Sequence, residues 1–208
     1  MLSGIILAGG ESVRMGGENK SLLMLGAETL LVRQIRMMRE LCSEIIVVTN
    51  TPRSFLRTVD ASVRIITDYV PGKGPLSGMH AGLTLSLNQN AWVVGCDMPF
   101  LSPQAARLML LKKKQGMEAI IPWLQGVMHP LHGIYDRDCA TPIWTLLKNQ
   151  ETQLSALGKV LLWQEAIEPE FREAGIECNF TMAIKTRTDY TQCCNVLQRL
   201  EKANASSG

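Results

Sequence analysis

The sequence predicts an α/β protein, a three-layer α/β/α sandwich built around a mostly parallel sheet. Three observations predict it. Short β-rich runs alternate with helical stretches through the first half of the chain, the pattern of parallel strands joined by right-handed crossovers. Those runs are almost continuously apolar, as strands covered on both faces are. The chain has 208 residues, 46% of them hydrophobic and 19% charged, which suits one large domain whose core needs no disulfide or metal staple.

The strand candidates of the first half are GIIL (Gly4–Leu7), EIIVVT (Glu44–Thr49), VRIIT (Val63–Thr67) and AWVVGC (Ala91–Cys96). Helices are expected at Thr29–Leu41, Pro52–Val59, Leu76–Leu87 and Pro103–Gln115. In the first of these, Leu30, Leu31, Ile35, Met38 and Leu41 mostly keep helical spacing. The second half is less regular. Strands are expected at Glu118–Pro122 and His129–Asp136, and helices at Cys139–Lys148, Leu154–Gln164 and Thr188–Lys202. A Rossmann-like single domain over residues 1–203, with a flexible tail at 204–208, accounts for this order.

A net charge of +2 is too small to make a nucleic-acid or membrane surface, so any phosphate binding has to be local. No apolar run reaches the length of a membrane span, and the N-terminus lacks a charged-then-apolar signal pattern, which predicts a cytoplasmic protein. The six cysteines form no C-x-x-C pair, which argues against zinc and for free thiols in a reducing compartment. Cys96, inside an apolar strand, reads as a small core residue.

Ligands of an open parallel sheet bind beyond the carboxyl ends of its strands. The connection after Leu7, LAGGESVRMGGENK, lies at that edge. Gly9, Gly10, Gly16 and Gly17 let backbone N–H groups approach an anion, and Arg14 and Lys20 add positive charge. Together they suit a polyphosphate, although neither the Walker A nor the G-x-G-x-x-G pattern is present. A flexible turn with solvated charges is the plainer reading. GPLSG (Gly74–Gly78) opens a helix: Pro75 fixes the loop, and Gly74 and Gly78 allow close approach to a flat base, or form an ordinary Gly-Pro turn. In GCDMPF, Asp97 ends a strand at the ligand edge, where Mg²⁺ takes one or two carboxylates together with phosphate oxygens. The same carboxylate could cap the helix that follows.

These residues carry a resemblance. Leu7, Ala8, Gly9, Gly10, Ser12, Arg14, Met15, Gly16 and Lys20 fit L-A-[GA]-G-x-S-x-R-M-G-x-x-x-K, and the chain resembles the molybdenum cofactor guanylyltransferases (MobA type), nucleotidyltransferases with a nucleotide-diphospho-sugar-transferase-like fold. The resemblance implies transfer of GMP from magnesium-bound GTP to the phosphate of molybdopterin, with release of pyrophosphate. It implies nucleotide contacts at Leu7, Ala8, Gly9, Gly10, Lys20, Asn50, Asp68, Asp97 and the guanine-pocket stretch Gly74, Pro75, Leu76 and Gly78. It implies Mg²⁺ on Asp97 and charge neutralisation by Arg14 and Lys20. Other molybdenum-cofactor proteins or molybdoenzymes would be partners.

The resemblance is strong over residues 3–103 and diffuse beyond. His129 and His132 in HPLHG would point to opposite faces of a strand, which favours a substrate-edge strand over a metal site. Trp123, Trp144 and Trp163 read as core or pocket wall. Where the family shows N-[IV]-N-T-P-E-D-L, this chain has AIKTRTDY, with Ala183 and Lys185 in place of both asparagines and Arg187 in place of proline. That departure bears on the acceptor, and Lys185 is the candidate acceptor contact. A cytidylyltransferase, a sugar-phosphate enzyme or a catalytically silent nucleotide-binding partner are the competing readings.

Overall fold

The computed structural model describes residues 1–9, 20–70 and 72–205. β1 (Leu2–Leu7) is buried along its whole length. A small antiparallel ribbon, β2 (Met24–Leu25) and β3 (Glu28–Thr29), leads into α1 (Leu30–Met38), whose first turn is capped by the Thr29 hydroxyl accepting from Val32 N at 3.3 Å. β4 (Glu44–Val48) and β5 (Val63–Ile66) follow, each parallel to its neighbour, in the order β1–β4–β5. α2 (Pro75–Leu85) then crosses back, so that β6 (Asn90–Gly95) joins the other side of β1, again in parallel. α3 (Pro103–Lys112) starts on a Ser102 cap.

Alternate residues of the strands feed two layers. Leu2 and Ile6 of β1 and Trp92 and Val94 of β6 pack with Leu31, Ile35, Met38 and Met109 on the α1/α3 face. Ile5, Leu7, Ala91 and Val93 pack with Leu76, Met79 and Leu83 on the α2 face. Both faces of the sheet are therefore buried, which is why these strands read as unbroken apolar runs. α2 lies unusually close to β1. A Cβ added at Gly82 would stand 2.6 Å from Ile5 Cγ2, and one at Gly78 would stand 3.3 Å from Leu7 Cδ2.

The second half extends the sheet. β7 (Ala119–Leu124) turns through Gln125 and Gly126, both with positive φ (52° and 78°), into β8 (Val127–Met128), a two-residue hairpin. β9 (Gly133–Asp136) inserts antiparallel between β6 and β7. α4 (Ala140–Lys148) packs on α2, α5 (Leu157–Val160) follows, and β10 (Trp163–Ile167) closes the edge parallel to β7. α6 (Glu168–Glu173) and α7 (Arg187–Ala205) complete the chain. The sheet order is β10–β7–β9–β6–β1–β4–β5, with β8 beside β7.

Three expectations change. Pro52–Val59 is a 3₁₀ turn over Pro52–Ser54 followed by further turns, because only Phe55 is buried and Leu56 lies exposed, leaving no apolar stripe to stabilise a helix. Leu154–Gln164 yields one 3₁₀ turn (Leu154–Ala156) and the single turn of α5. Its end, Trp163–Gln164, is strand instead, because a ladder with Ala119–Ile120 of β7 is available there. His129–His132 is a turn, with His132 at φ 76°, and the strand begins only at Gly133.

Candidate active site

The carboxyl ends of β1, β4, β5 and β6 meet at one edge, so their outgoing loops share one surface. Ala8 N donates to Val48 O at 2.7 Å, and Cys96 N donates to Leu7 O at 3.1 Å, which fixes the exit of the chain from β1 between its neighbours. Gly9 follows; a Cβ there would lie 3.7 Å from Asn50 Nδ2, so the loops after β1 and β4 are in contact. Gly10 and Arg14, with the rest of residues 10–19, lie outside the described residues.

Beyond β5 the Asp68 Oδ1 atom is buried without a hydrogen-bond partner among the described residues, an acceptor with capacity to spare. The same loop is tied to the first turn of α2 by Ser77 Oγ donating to Val70 O at 2.9 Å. Gly74 caps α2 with φ 69°, a conformation that suits glycine, and Pro75 occupies the first turn, where no N–H is needed. Ser77 N donates to Gly74 O at 3.2 Å, closing that turn. Leu76 and Gly78 are buried against the sheet. The close approach expected of Gly78 is therefore to Leu7 and Val48, where its missing side chain seats the helix.

Asp97 stands two residues past β6 on a turn held from below. Gln34, buried on α1, donates its amide to Gly95 O at 2.7 Å and to Met98 O at 2.8 Å. The Asp97 carboxylate sits over Gly95, where a Cβ would meet Oδ1 at 2.8 Å. Burial pushes the Asp97 carboxyl above the ordinary carboxylate range, while Lys20, its own backbone N–H and Lys185 pull it back. Lys20 opens a 3₁₀ turn, Lys20–Leu22, and its charge also reaches Cys96. Burial first, with Asp97 beside it, lifts the Cys96 thiol to about 11, so it is inert at neutral pH.

The C-terminal segment arrives at the backbone of Asp97. Ile184 N donates to Asp97 O at 2.8 Å, which puts Lys185 beside the turn. The His129–His132 turn flanks it, with Leu131 Cδ1 3.1 Å from where a Gly95 Cβ would be. His132 is no metal ligand. It is buried between Trp92 and Phe180, and its Nε2 accepts from Ser102 N at 3.1 Å. Among the described residues no three His, Cys, Asp or Glu side chains gather as a metal cluster. An open cleft of about 740 Å³ runs between Gly72–Pro75 on one wall and Val127, Met128, Pro130 and Thr152–Ser155 on the other. That volume suits a small-molecule ligand. Gln34 escaped the sequence reading, although a glutamine within the apolar spacing of α1 was a signal of a buried polar partner.

Residues 4–165 match the MobA-like NTP transferase domain. A probable molybdenum cofactor guanylyltransferase of Pelotomaculum thermopropionicum is 36% identical over 68% of this chain and 66% of its own length. The molybdenum cofactor guanylyltransferase of Desulfosudis oleivorans is 33% identical over 66% of this chain and 67% of its own. The chain thus aligns with about two thirds of the length of these relatives. Among solved structures, molybdopterin-guanine dinucleotide biosynthesis protein A of Archaeoglobus fulgidus superposes with a TM-score of 0.81 at 20% identity, over 95% of this chain and 99% of that one. A nucleotidyl transferase of Methanothermobacter thermautotrophicus gives 0.71 at 18% identity, over 96% and 99%. These two likenesses show the nucleotidyltransferase fold.

Proposed function

Because the chain belongs to the MobA-like NTP transferase family, we propose that it is a molybdenum cofactor guanylyltransferase, transferring the GMP part of GTP to the phosphate of molybdopterin in the cytoplasm. The observation that carries this reading is Asp97 at the end of β6, held by Gln34 from below and flanked by Lys20 and Lys185. The named relatives, which are guanylyltransferases, favour guanine over cytosine.

In the reaction a phosphate oxygen of the acceptor forms a bond to the α-phosphorus of GTP, and the bond from that phosphorus to the bridging oxygen breaks. Pyrophosphate leaves with the electron pair. The backbone of Leu7, Ala8 and Gly9 lines the nucleotide, with Asn50 and Asp68 from the neighbouring loops. Gly74 and Pro75 present the start of α2 to the base, where Leu76 can contribute only backbone. Lys20, with Arg14 from residues 10–19, offsets the charge that builds on the phosphates. No covalent nucleophile is needed from the protein; positioning and charge supply the rate.

Asp97 fits a magnesium ion. Its carboxyl is pushed towards the neutral form by burial, a penalty that a divalent cation relieves, and Mg²⁺ needs one or two carboxylates besides phosphate oxygens and water. When bound, the ion would supply Lewis-acid stabilisation of phosphate charge. Asp97→Asn keeps the shape and one acceptor oxygen while removing the charge. We expect it to fold and to lose about a hundredfold or more in kcat, read as pyrophosphate release. Turnover near that of the wild type in the folded variant would contradict the assignment.

A further inference from the structure

The sheet order divides the surroundings of Asp97. On one side the connections after β1, β4 and β5 carry Gly9, Asn50 and Asp68, each two residues past its strand. On the other side lie β9 and β7. Because β9 runs antiparallel to β6, with Gly133 opposite Val93, the residues before Gly133 extend past the end of β6, so His129 stands on this second side. Lys185 stands there too, near enough for its charge to act on both Asp97 and His129.

Lys185 is held in place from the backbone. Ile184 is fully buried with Leu25, Leu30 and Phe100 and is bonded to Asp97 O. The Asp189 carboxylate accepts Lys185 N at 2.9 Å and Thr186 N at 2.7 Å, while Asp189 N donates to Thr186 Oγ1 at 3.2 Å. That reciprocal pair fixes the entry to α7. The Lys185 side chain itself is exposed and forms no ion pair with a carboxylate among the described residues. An ammonium on a rigid backbone, outside every ion pair among the described residues and with its charge acting on Asp97 and His129 as well as on Asp189, is placed to meet an anion. His129 beside it is kept below the ordinary imidazole range, by burial first and then by Lys185.

We propose that Lys185 is a specificity-determining residue of the acceptor side, binding the acceptor's phosphate monoester across Asp97 from the nucleotide. The proposal rests on the nucleotidyl-transfer reading above and adds the residue that selects a phosphorylated acceptor.

The test is steady-state pyrophosphate release by the full chain, varying molybdopterin at saturating GTP and GTP at saturating molybdopterin, at low and high salt. Lys185→Met should raise KM for molybdopterin about tenfold, the loss of one charge-assisted contact, and flatten its salt dependence. KM for GTP should stay unchanged, and Lys185→Arg should restore the molybdopterin KM. Lys185→Met with a wild-type molybdopterin KM and salt dependence would overturn the proposal, as would an equal rise in both KM values. Wild-type protein that binds GTP but shows no turnover with molybdopterin would instead remove the acceptor reading, and this inference with it.

Discussion

Asp97 and His132 show two ways in which this chain places an ionisable group out of water. Asp97 is half-buried beside cations and keeps one side towards the edge. His132 is fully buried among aromatic rings, and its pKa falls to about 3, chiefly through burial, against 6.5 for a free imidazole. The unfolded chain therefore binds a proton at His132 that the folded chain does not. Stability contributed by this group is present above about pH 6.5 and is lost as pH falls towards 3. His132→Gln can keep the acceptor for Ser102 N without the titration. Its urea midpoint should lie below the wild type's at pH 7, and the gap should narrow as pH is lowered to about 4; a gap constant with pH would contradict a neutral buried histidine. Asp97 was legible in the sequence because a lone carboxylate ended an apolar run. His132 was misplaced because its left-handed backbone, which ends the turn, carries no glycine or asparagine to announce it.

Among the elements, α2 joins packing to the site. Its Gly78 and Gly82 let the helix settle on Leu7, Val48 and Ile5, and its Gly74–Pro75 start forms one wall of the cleft. Gly82→Ala gains helix propensity, worth about 1 kcal/mol, but its methyl group would collide with Ile5. An approach of 2.6 Å calls for the upper half of the about 1–3 kcal/mol that overpacking costs, so net destabilisation of about 1–2 kcal/mol and a lower thermal midpoint are expected. An unchanged or higher midpoint would mean that the helix is not seated as described. β1, β4 and β6 were readable because they are buried almost throughout, whereas the β2–β3 ribbon and the turns of Pro52–Val59 carried no such signal. β8, β9 and β10 were harder. β8 is only two residues long, and β9 and β10 depend on partners distant in the chain; Trp163–Gln164 carries no local mark that separates the end of a helix from the start of a strand. α6 did carry a signal, Pro169 in its first turn and Glu170 accepting from Ile167 N at 2.8 Å, which was not read.

Across the whole molecule the net charge is only +2, yet two cations, Lys20 and Lys185, both act on Asp97. No helix among the described residues is long and apolar enough to cross a membrane. The placement of Gly9, Asn50, Asp68 and Asp97 at one edge was legible because each closely follows the end of a parallel strand. Lys185 was singled out from the sequence, but its approach to Asp97 and His129 was not, because it depends on the antiparallel insertion of β9 and the return of the C-terminal segment. The central claim is that this edge joins GMP to a phosphorylated pterin. The most direct measurement incubates the wild-type chain with Mg²⁺, molybdopterin and each of GTP, CTP, ATP and UTP in turn, and follows pyrophosphate together with the dinucleotide product. The account predicts one pyrophosphate per molybdopterin-guanine dinucleotide formed with GTP, and far slower turnover with the other three, since the wrong base leaves buried polar groups unpaired. Faster turnover with CTP than with GTP, or no dinucleotide from any of the four, would contradict it.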